Sequence, residues 1–534
     1  MADTGSKSNN SADASSSTFL RAASRVGGWT MLSRILGFVR DILLAGVLGA
    51  GVLADAFFVA FKLPNFFRRL FAEGTLTVAL VPVLSDAREA GEAEAHQYLN
   101  ALATLLLMVL CLFTIAGVLG MPWLLLLFAP GFADEPDRWQ QALLLARWMF
   151  PYLALISLTA LAWGVLNTYK KFSLAAATPA LLNIAIILAA LLLAPMMDNP
   201  ALALTWGVLL GGVLQLGVQI PALKRIGWIP RFSLDFRQGR IGETLQLFGP
   251  ALLAIAAVQL NILVGTILAT LLETGAVSYL YYADRIVQLP LALFGIAMST
   301  ALLPTLSGHL AKGNIEQASG DLRSGLAWLT WLTLPAVAGA LFLAEPIIVT
   351  LFENGAFTHA DSLATAATLQ AYAIGLIAFC WIKLLATACY AGKDAKAPMR
   401  YAALSVGINI VLALILMQFW SYVGLALATS LAAFVNAAML FIRLRKTHGA
   451  LIDGQNLRRM FTAGLASAAM LACLFALDAL WAFPLAGKMA QVLWISLAVV
   501  GGIGVFFACA LAMGEHQLLS RLRKSSHKES PHAP

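Results

Sequence analysis

From Gly27 to near its C-terminus the chain is a succession of mainly apolar stretches, most of them twenty residues or longer. A helix of about 20 such residues crosses the hydrocarbon of a bilayer. The sequence predicts spans at 27–50, 52–86, 98–129, 139–166, 173–196, 200–223, 243–272, 279–307, 322–345, 361–390, 399–417, 421–443, 459–482 and 489–514. The second carries Lys62, Arg68, Arg69 and Glu73 and is expected to break near Pro64, which removes a backbone donor. Composition excludes the soluble alternative. Hydrophobic residues make up 60% of the chain and charged residues only 12%, whereas a soluble domain has about 25% charged residues. The expected fold class is an all-α polytopic membrane protein of about fourteen transmembrane helices.

Alternate loops differ sharply in charge. One set carries eighteen Lys and Arg, including Lys170, Lys171, Lys224, Arg225, Arg445 and Lys446; the other set carries only Arg138 and Lys488. Basic loops stay in the cytoplasm, so both termini are expected there. An internal repeat accompanies this. AGVLADAFFVAFKLP at 50–64 is echoed by AVSYLYYADRIVQLP at 276–290, and LVPVLS at 80–85 by LLPTLS at 302–307. Six spans separate equivalent points, so the copies share one orientation, which is a parallel transporter repeat. The expected organisation is a disordered tail over 1–26, six-helix lobes over 27–227 and 228–448, two extra helices over 449–514, and a basic tail over 515–534.

Several function classes drop out. The five cysteines all lie in apolar stretches without a CxxC, and the seven histidines show no ligand spacing, so neither a metal nor a disulfide is expected. The net charge of +8 belongs to loops rather than to a basic soluble domain, so no nucleic-acid partner is expected. No Walker A motif, catalytic Ser-His-Asp arrangement or aqueous carboxylate pair is visible. The chain reads as a non-enzyme without a cofactor, driven by a gradient or by the membrane potential.

Charges inside the spans point to a function. Each costs about 2.5–3.5 kcal/mol on insertion scales, and such residues pair or line polar pathways. The first span holds Arg34, Arg40 and Asp41; the second Asp55, Lys62, Arg68, Arg69 and Glu73; the eighth Asp284 and Arg285; Arg147, Lys383 and Asp478 stand singly. Arg34 and Asp41, and likewise Asp55 and Lys62, are seven apart and share a helix face, whereas Arg40 lies about 120° from Arg34. The excess is cationic. Arginine stays charged when buried and grips phosphate with paired hydrogen bonds, so a wet cationic cavity suits an anionic substrate. The alternative is mutual pairing that staples helices, which applies most to Asp41, Lys62, Glu73 and Asp284.

Four dense motifs carry a resemblance. SRILGFVRD at 33–41, DAFFVAFKLPNFFRRLFAEG at 55–74, PGFAD at 130–134 and YYADRIVQLP at 281–290 resemble the MurJ (MviN) family, within the superfamily of multidrug exporters and polysaccharide flippases. The resemblance runs from about Gly27 to the C-terminus. It implies two lobes around a central cationic cavity, a groove for a lipid tail along the last two helices, and movement of lipid II, the undecaprenyl-pyrophosphate-linked disaccharide-pentapeptide, across the inner membrane. It places the substrate-binding residues at Arg34, Arg40, Asp55, Asn65, Arg68, Ser278 and Arg285. Gln288 departs from the Glu that some members carry. Membrane lipids and the cell-wall synthesis machinery are the further partners implied. Two alternatives stay open: an exporter of drugs or of another undecaprenyl-linked glycan, and a scaffold, which would not need buried arginines.

Overall fold

The computed structural model describes residues 7–71, 75–236, 239–485 and 487–514, and among them every regular element is a helix. In chain order these are α1 (Lys7–Leu48), α2 (Val52–Phe71), α3 (Thr75–Ala90), α4 (Glu92–Leu119), α5 (Met121–Phe128), α6 (Pro136–Met149), α7 (Tyr152–Thr168), α8 (Phe172–Leu188), α9 (Pro200–Gly217), α10 (Ile220–Arg225), α11 (Gly239–Thr270), α12 (Ala276–Pro290), α13 (Ala297–Ala311), α14 (Ile315–Phe352), α15 (His359–Ile374), α16 (Leu376–Ala391), α17 (Lys396–His448), α18 (Gly454–Leu480) and α19 (Lys488–Ala512). Nine candidate spans among the described residues are long and apolar enough to cross a membrane, ten with the bent pair α15–α16. The expectation of fourteen also counts α1, α2 with α3, and α11, and reads α17 as two helices. The charges Arg34, Arg40 and Asp41 keep α1 out of the apolar set.

Two expectations change. The Ser-, Asn- and Ala-rich leader, expected as a disordered tail over 1–26, is helical from Lys7 and continuous with α1; between Lys7 and Val26 no Pro or Gly interrupts it. The expected basic tail over 515–534 and Glu73 lie outside the described residues. The compact units also divide differently from the repeat. One comprises Met1–Ser278 with Asn354–Thr358, the other Tyr279–Glu353 with His359–Pro534, rather than a division at 227/228. The reason is packing: α11 lies against α3 and α2, tied to α4 by Tyr98 Oη–Thr244 Oγ1 at 2.7 Å and by Arg240 Nε–Glu94 Oε1 at 2.6 Å.

In the first unit, α1 packs on α8, α2 on α6, and α8 on α9. Small residues bring α9 close. A Cβ on Gly207 would come within 2.6 Å of the Ala189 Cβ, the close approach typical of membrane helix pairs. Asn199 starts α9 by accepting from the Ala201 and Leu202 N–H groups, with Pro200 at the first helical position. Five phenylalanines, Phe66, Phe67, Phe113, Phe128 and Phe150, interlock edge-to-face and stacked and pin the end of α2.

In the second unit α14 is the central post, with α13, α15, α16, α18 and α19 against it. Trp331, Met470, Leu474, Trp494 and Phe506 form the core it shares with α18 and α19. Lys488, at the start of α19, donates to the Val349 and Glu353 carbonyls at 2.8 Å each, adding a cation at the carbonyl-rich end of α14. Between α16 and α17, hydrogen bonds from Ala397 N–H and from Arg443 hold the Asp394 carboxyl below the usual carboxylate range.

The long α17 is a hairpin. Trp420 (φ −130°, ψ 17°) and Ser421 (φ 44°, ψ −128°) leave helical conformation, and Gly424 follows where a Cβ would sit 2.3 Å from the Leu416 oxygen. Ser421 occupies backbone space that favours glycine and is strained for a side chain by about 1–3 kcal/mol. Ser421→Gly is therefore expected to raise the thermal midpoint of the detergent-solubilised protein, and Gly424→Val to lower it. A midpoint that falls in Ser421→Gly would contradict the strained turn.

Candidate functional site

The charges of the first unit fall into three settings. On α1, Arg34 is exposed and Arg40, 120° round the helix, is buried. The Arg40 guanidinium bridges its neighbour Asp41 at 2.7 Å and donates through Nη1 to Asn183 Oδ1 at 3.0 Å. Asn183 completes the tie by donating to the Ser33 carbonyl of α1 at 2.9 Å. Gly37 faces this side chain, and a Cβ there would lie 3.4 Å from Asn183 Nδ2, at van der Waals contact. Arg40 thus holds α1 to α8. The spacing of Arg34 and Asp41 suggests a pair on one face, yet the side chain of the adjacent arginine folds onto Asp41.

Around Pro64 of α2 the missing N–H loosens the helical ladder. Asn65 Nδ2 donates to the Phe61 carbonyl at 2.7 Å, and Asn65 Oδ1 accepts from Arg68 Nε at 3.2 Å. Asn65 therefore fixes the half-buried Arg68, while its neighbours Phe66 and Phe67 are held in the aromatic cluster. Lys62 donates to Thr266 Oγ1 of α11 at 3.3 Å instead of facing Asp55.

Asp55 has no exposed surface. Its Oδ1 accepts from the Ser278 hydroxyl at 2.6 Å and the Ser278 N–H at 2.9 Å, and its Oδ2 from the Gly275 N–H at 2.8 Å. The donors belong to the first turn of α12 and the residue before it, where unpaired N–H groups attract a carboxylate. Arg138 Nη2 meets the same Oδ2 at 3.2 Å. Asp55 and Ser278, expected at the substrate surface, are buried partners of each other in this conformation.

In the second unit the half-buried Arg285 donates through Nη2 to Tyr281 Oη at 3.1 Å, and its guanidinium lies 4.6 Å from the Tyr281 ring centre. Asp284 accepts from Gln288 at 2.6 Å. After Pro290 the chain makes a π-helical turn, Leu291–Ile296, in which Gly295 lies against Cys380 of α16; such turns interrupt helices where they bend. Among the isolated charges, Arg147 and Lys383 are exposed and Asp478 accepts from Phe483 N–H beyond the end of α18. No group of three His, Cys, Asp or Glu that could hold a metal is found among the described residues.

Arg138, Glu135 and Asn183 escape sequence reasoning. Arg138 reads as a loop cation, although it lies four residues after the PGFAD turn, and Asn183 is one polar residue in an apolar helix.

The sequence profile of the lipid II flippase MurJ family matches residues 44–500. The chain belongs to this family. A probable lipid II flippase MurJ of Rhizobium meliloti is 38% identical over 515 residues, covering 94% of this chain and 95% of its own. The corresponding protein of Haemophilus influenzae is 39% identical over 431 residues, 78% of this chain and 84% of its own. A solved lipid II flippase MurJ in an inward closed conformation superposes with a TM-score of 0.78 at 27% identity, over 92% of this chain and 99% of that one. An inward-facing multidrug transporter of the MATE family shares the fold, with a TM-score of 0.65 at 14% identity over 80% of this chain and 98% of its own. The chain is thus a multi-pass membrane protein of the same superfamily fold.

The Arg40 tie makes a direct prediction. Asn183→Leu leaves the buried guanidinium short of an acceptor and removes the side-chain bond to the Ser33 carbonyl, costing about 1–3 kcal/mol. A lowered thermal midpoint in detergent is the expected result; an unchanged midpoint would mean that Asn183 contributes nothing to holding α1 on α8.

Proposed function

We propose that this chain is a carrier, not a catalyst, that moves lipid II from the cytoplasmic to the periplasmic leaflet of the inner membrane by alternating access, with both termini in the cytoplasm. The observation that carries this reading is the family match, which runs through both compact units. The physics supports it. A pyrophosphate-linked sugar-peptide headgroup cannot cross hydrocarbon unaided, because its polar groups would lose their hydrogen bonds. Protein donors must replace that hydration while the polyprenyl tail stays in lipid.

The seven residues proposed for substrate handling divide by setting. Arg34 is exposed, Arg68 is held by Asn65, and Arg285 is braced on Tyr281; these three are the proposed ligands of the pyrophosphate, which arginine grips bidentately. Arg40, Asp55, Asn65 and Ser278 are proposed to keep the helices that carry them in place. The cell-wall synthesis machinery is a proposed partner.

Arg34→Ala and Arg285→Ala are each expected to abolish complementation of a strain depleted of its own lipid II flippase, with normal amounts of inserted protein. Lysine at either position should rescue only in part, since it keeps the charge and loses the fork. Full complementation by either alanine variant would remove that arginine from the site. Accumulation of a lipid-linked intermediate other than lipid II on depletion in the native host would favour the glycan-export alternative.

A further inference from the structure

The α11–α12 turn is seated in a receptor built by α2, the Pro130–Asp134 turn and the start of α6, and Arg138 stands at its centre. This arginine is 1% exposed. Besides Asp55 Oδ2, it reaches Glu135 Oε1 at 2.8 Å and the Leu272 carbonyl at 3.1 Å through Nη1, and it lies 4.3 Å from the centre of the Phe132 ring. Glu135 Oε2 in turn accepts from the Thr274 hydroxyl at 3.1 Å. With the three bonds to Asp55, contacts to Leu272, Thr274, Gly275 and Ser278 hold the turn, and three side chains, Asp55, Glu135 and Arg138, make them all. Gly131 backs directly onto the end of α11, where a Cβ would strike the Thr270 carbonyl.

We infer that Arg138 is the positioning residue of a latch that holds the α11–α12 turn shut and lets it go during the transport cycle. Arg138 belongs to α6, which packs along α2, so Asp55 keeps its cation whether or not the turn is seated. That cation holds the Asp55 and Glu135 carboxylates where the donors of the turn meet them, so losing it loosens the seat of the turn. Arg138 also adds the one bond to the Leu272 carbonyl, made only when the turn is seated. The latch rests on the alternating-access reading above, and it assigns Arg138 a role that neither its loop position nor the four motifs suggest.

The test places a single reporter cysteine in a background lacking the native ones. Val277 is 1% exposed in the first turn of α12, so Val277→Cys reports release of the turn. Ala203→Cys, at a fully buried position of α9, reports general loosening of the unit. Spheroplasts are treated with a membrane-impermeant maleimide. Adding Arg138→Gln is expected to raise labelling of the Val277→Cys reporter several-fold and to leave the Ala203→Cys reporter unlabelled. Arg138→Lys should be intermediate, because it keeps the charge but cannot span Asp55, Glu135 and Leu272 together. Unchanged or slower labelling of the Val277→Cys reporter, or an equal rise in both reporters, would overturn the latch. The labelling does not involve lipid II. Failure of the wild-type chain to move lipid II would therefore sink the proposed function alone, and unchanged labelling with transport intact would sink the latch alone.

Discussion

A carboxylate buried among helices must be surrounded by donors or it is not tolerated. Asp55, without exposed surface, imposes that condition on the first unit. It collects two backbone N–H groups, a hydroxyl and a guanidinium, and these come from separate stretches of chain. The helix–helix contacts of α2, the placement of α6 and the seat of the α11–α12 turn all meet at this one side chain. The α1 charges obey the same rule through a different partner set, in which Arg40, Asp41 and Asn183 satisfy one another.

The result is a separation of duties among charges of the same type. Arginines that are bonded deep inside the unit, Arg40 and Arg138, act on helices. Arginines with open surface, Arg34 above all, are the ones proposed to meet a ligand. The burial of each follows from helical phase: six residues from Arg34 to Arg40 turn the second away from the face of the first. The second unit spends its polar groups on helix ends, with Lys488 closing α14 and Asp453 accepting from Asn456 N–H to begin α18.

Much of the fold was legible in the sequence because apolar length is set by the bilayer, and each long apolar stretch became helix. The unit boundary was not legible. A repeat records how a chain is related to itself, whereas the cut at Ser278 records where α11 packs. That packing depends on Thr244 and Arg240 finding Tyr98 and Glu94, each 146 residues away. The charges inside the spans singled out Arg34, Asp55 and Arg285 by type, and only the family resemblance added Asn65. Their partners stayed hidden because no local pattern links Arg40 to Asn183 or Asp55 to Arg138. The seven-residue spacings of Arg34 with Asp41 and Asp55 with Lys62 were correct as helical geometry but not as pairings, since each acid found a closer or better-placed base.

The bonds of Asp55 also fix an order of events at the ribosome. Arg138 follows Asp55 by 83 residues and Ser278 by 223. At about 5–20 residues per second, Asp55 waits roughly 4–17 s for its cation and roughly 11–45 s for its hydroxyl. Arg138 is thus the first partner to be made, and for the longer part of that wait it is the only one of the two present. The nascent chain can neutralise its most deeply buried acid well before the helix that finally covers it has left the ribosome.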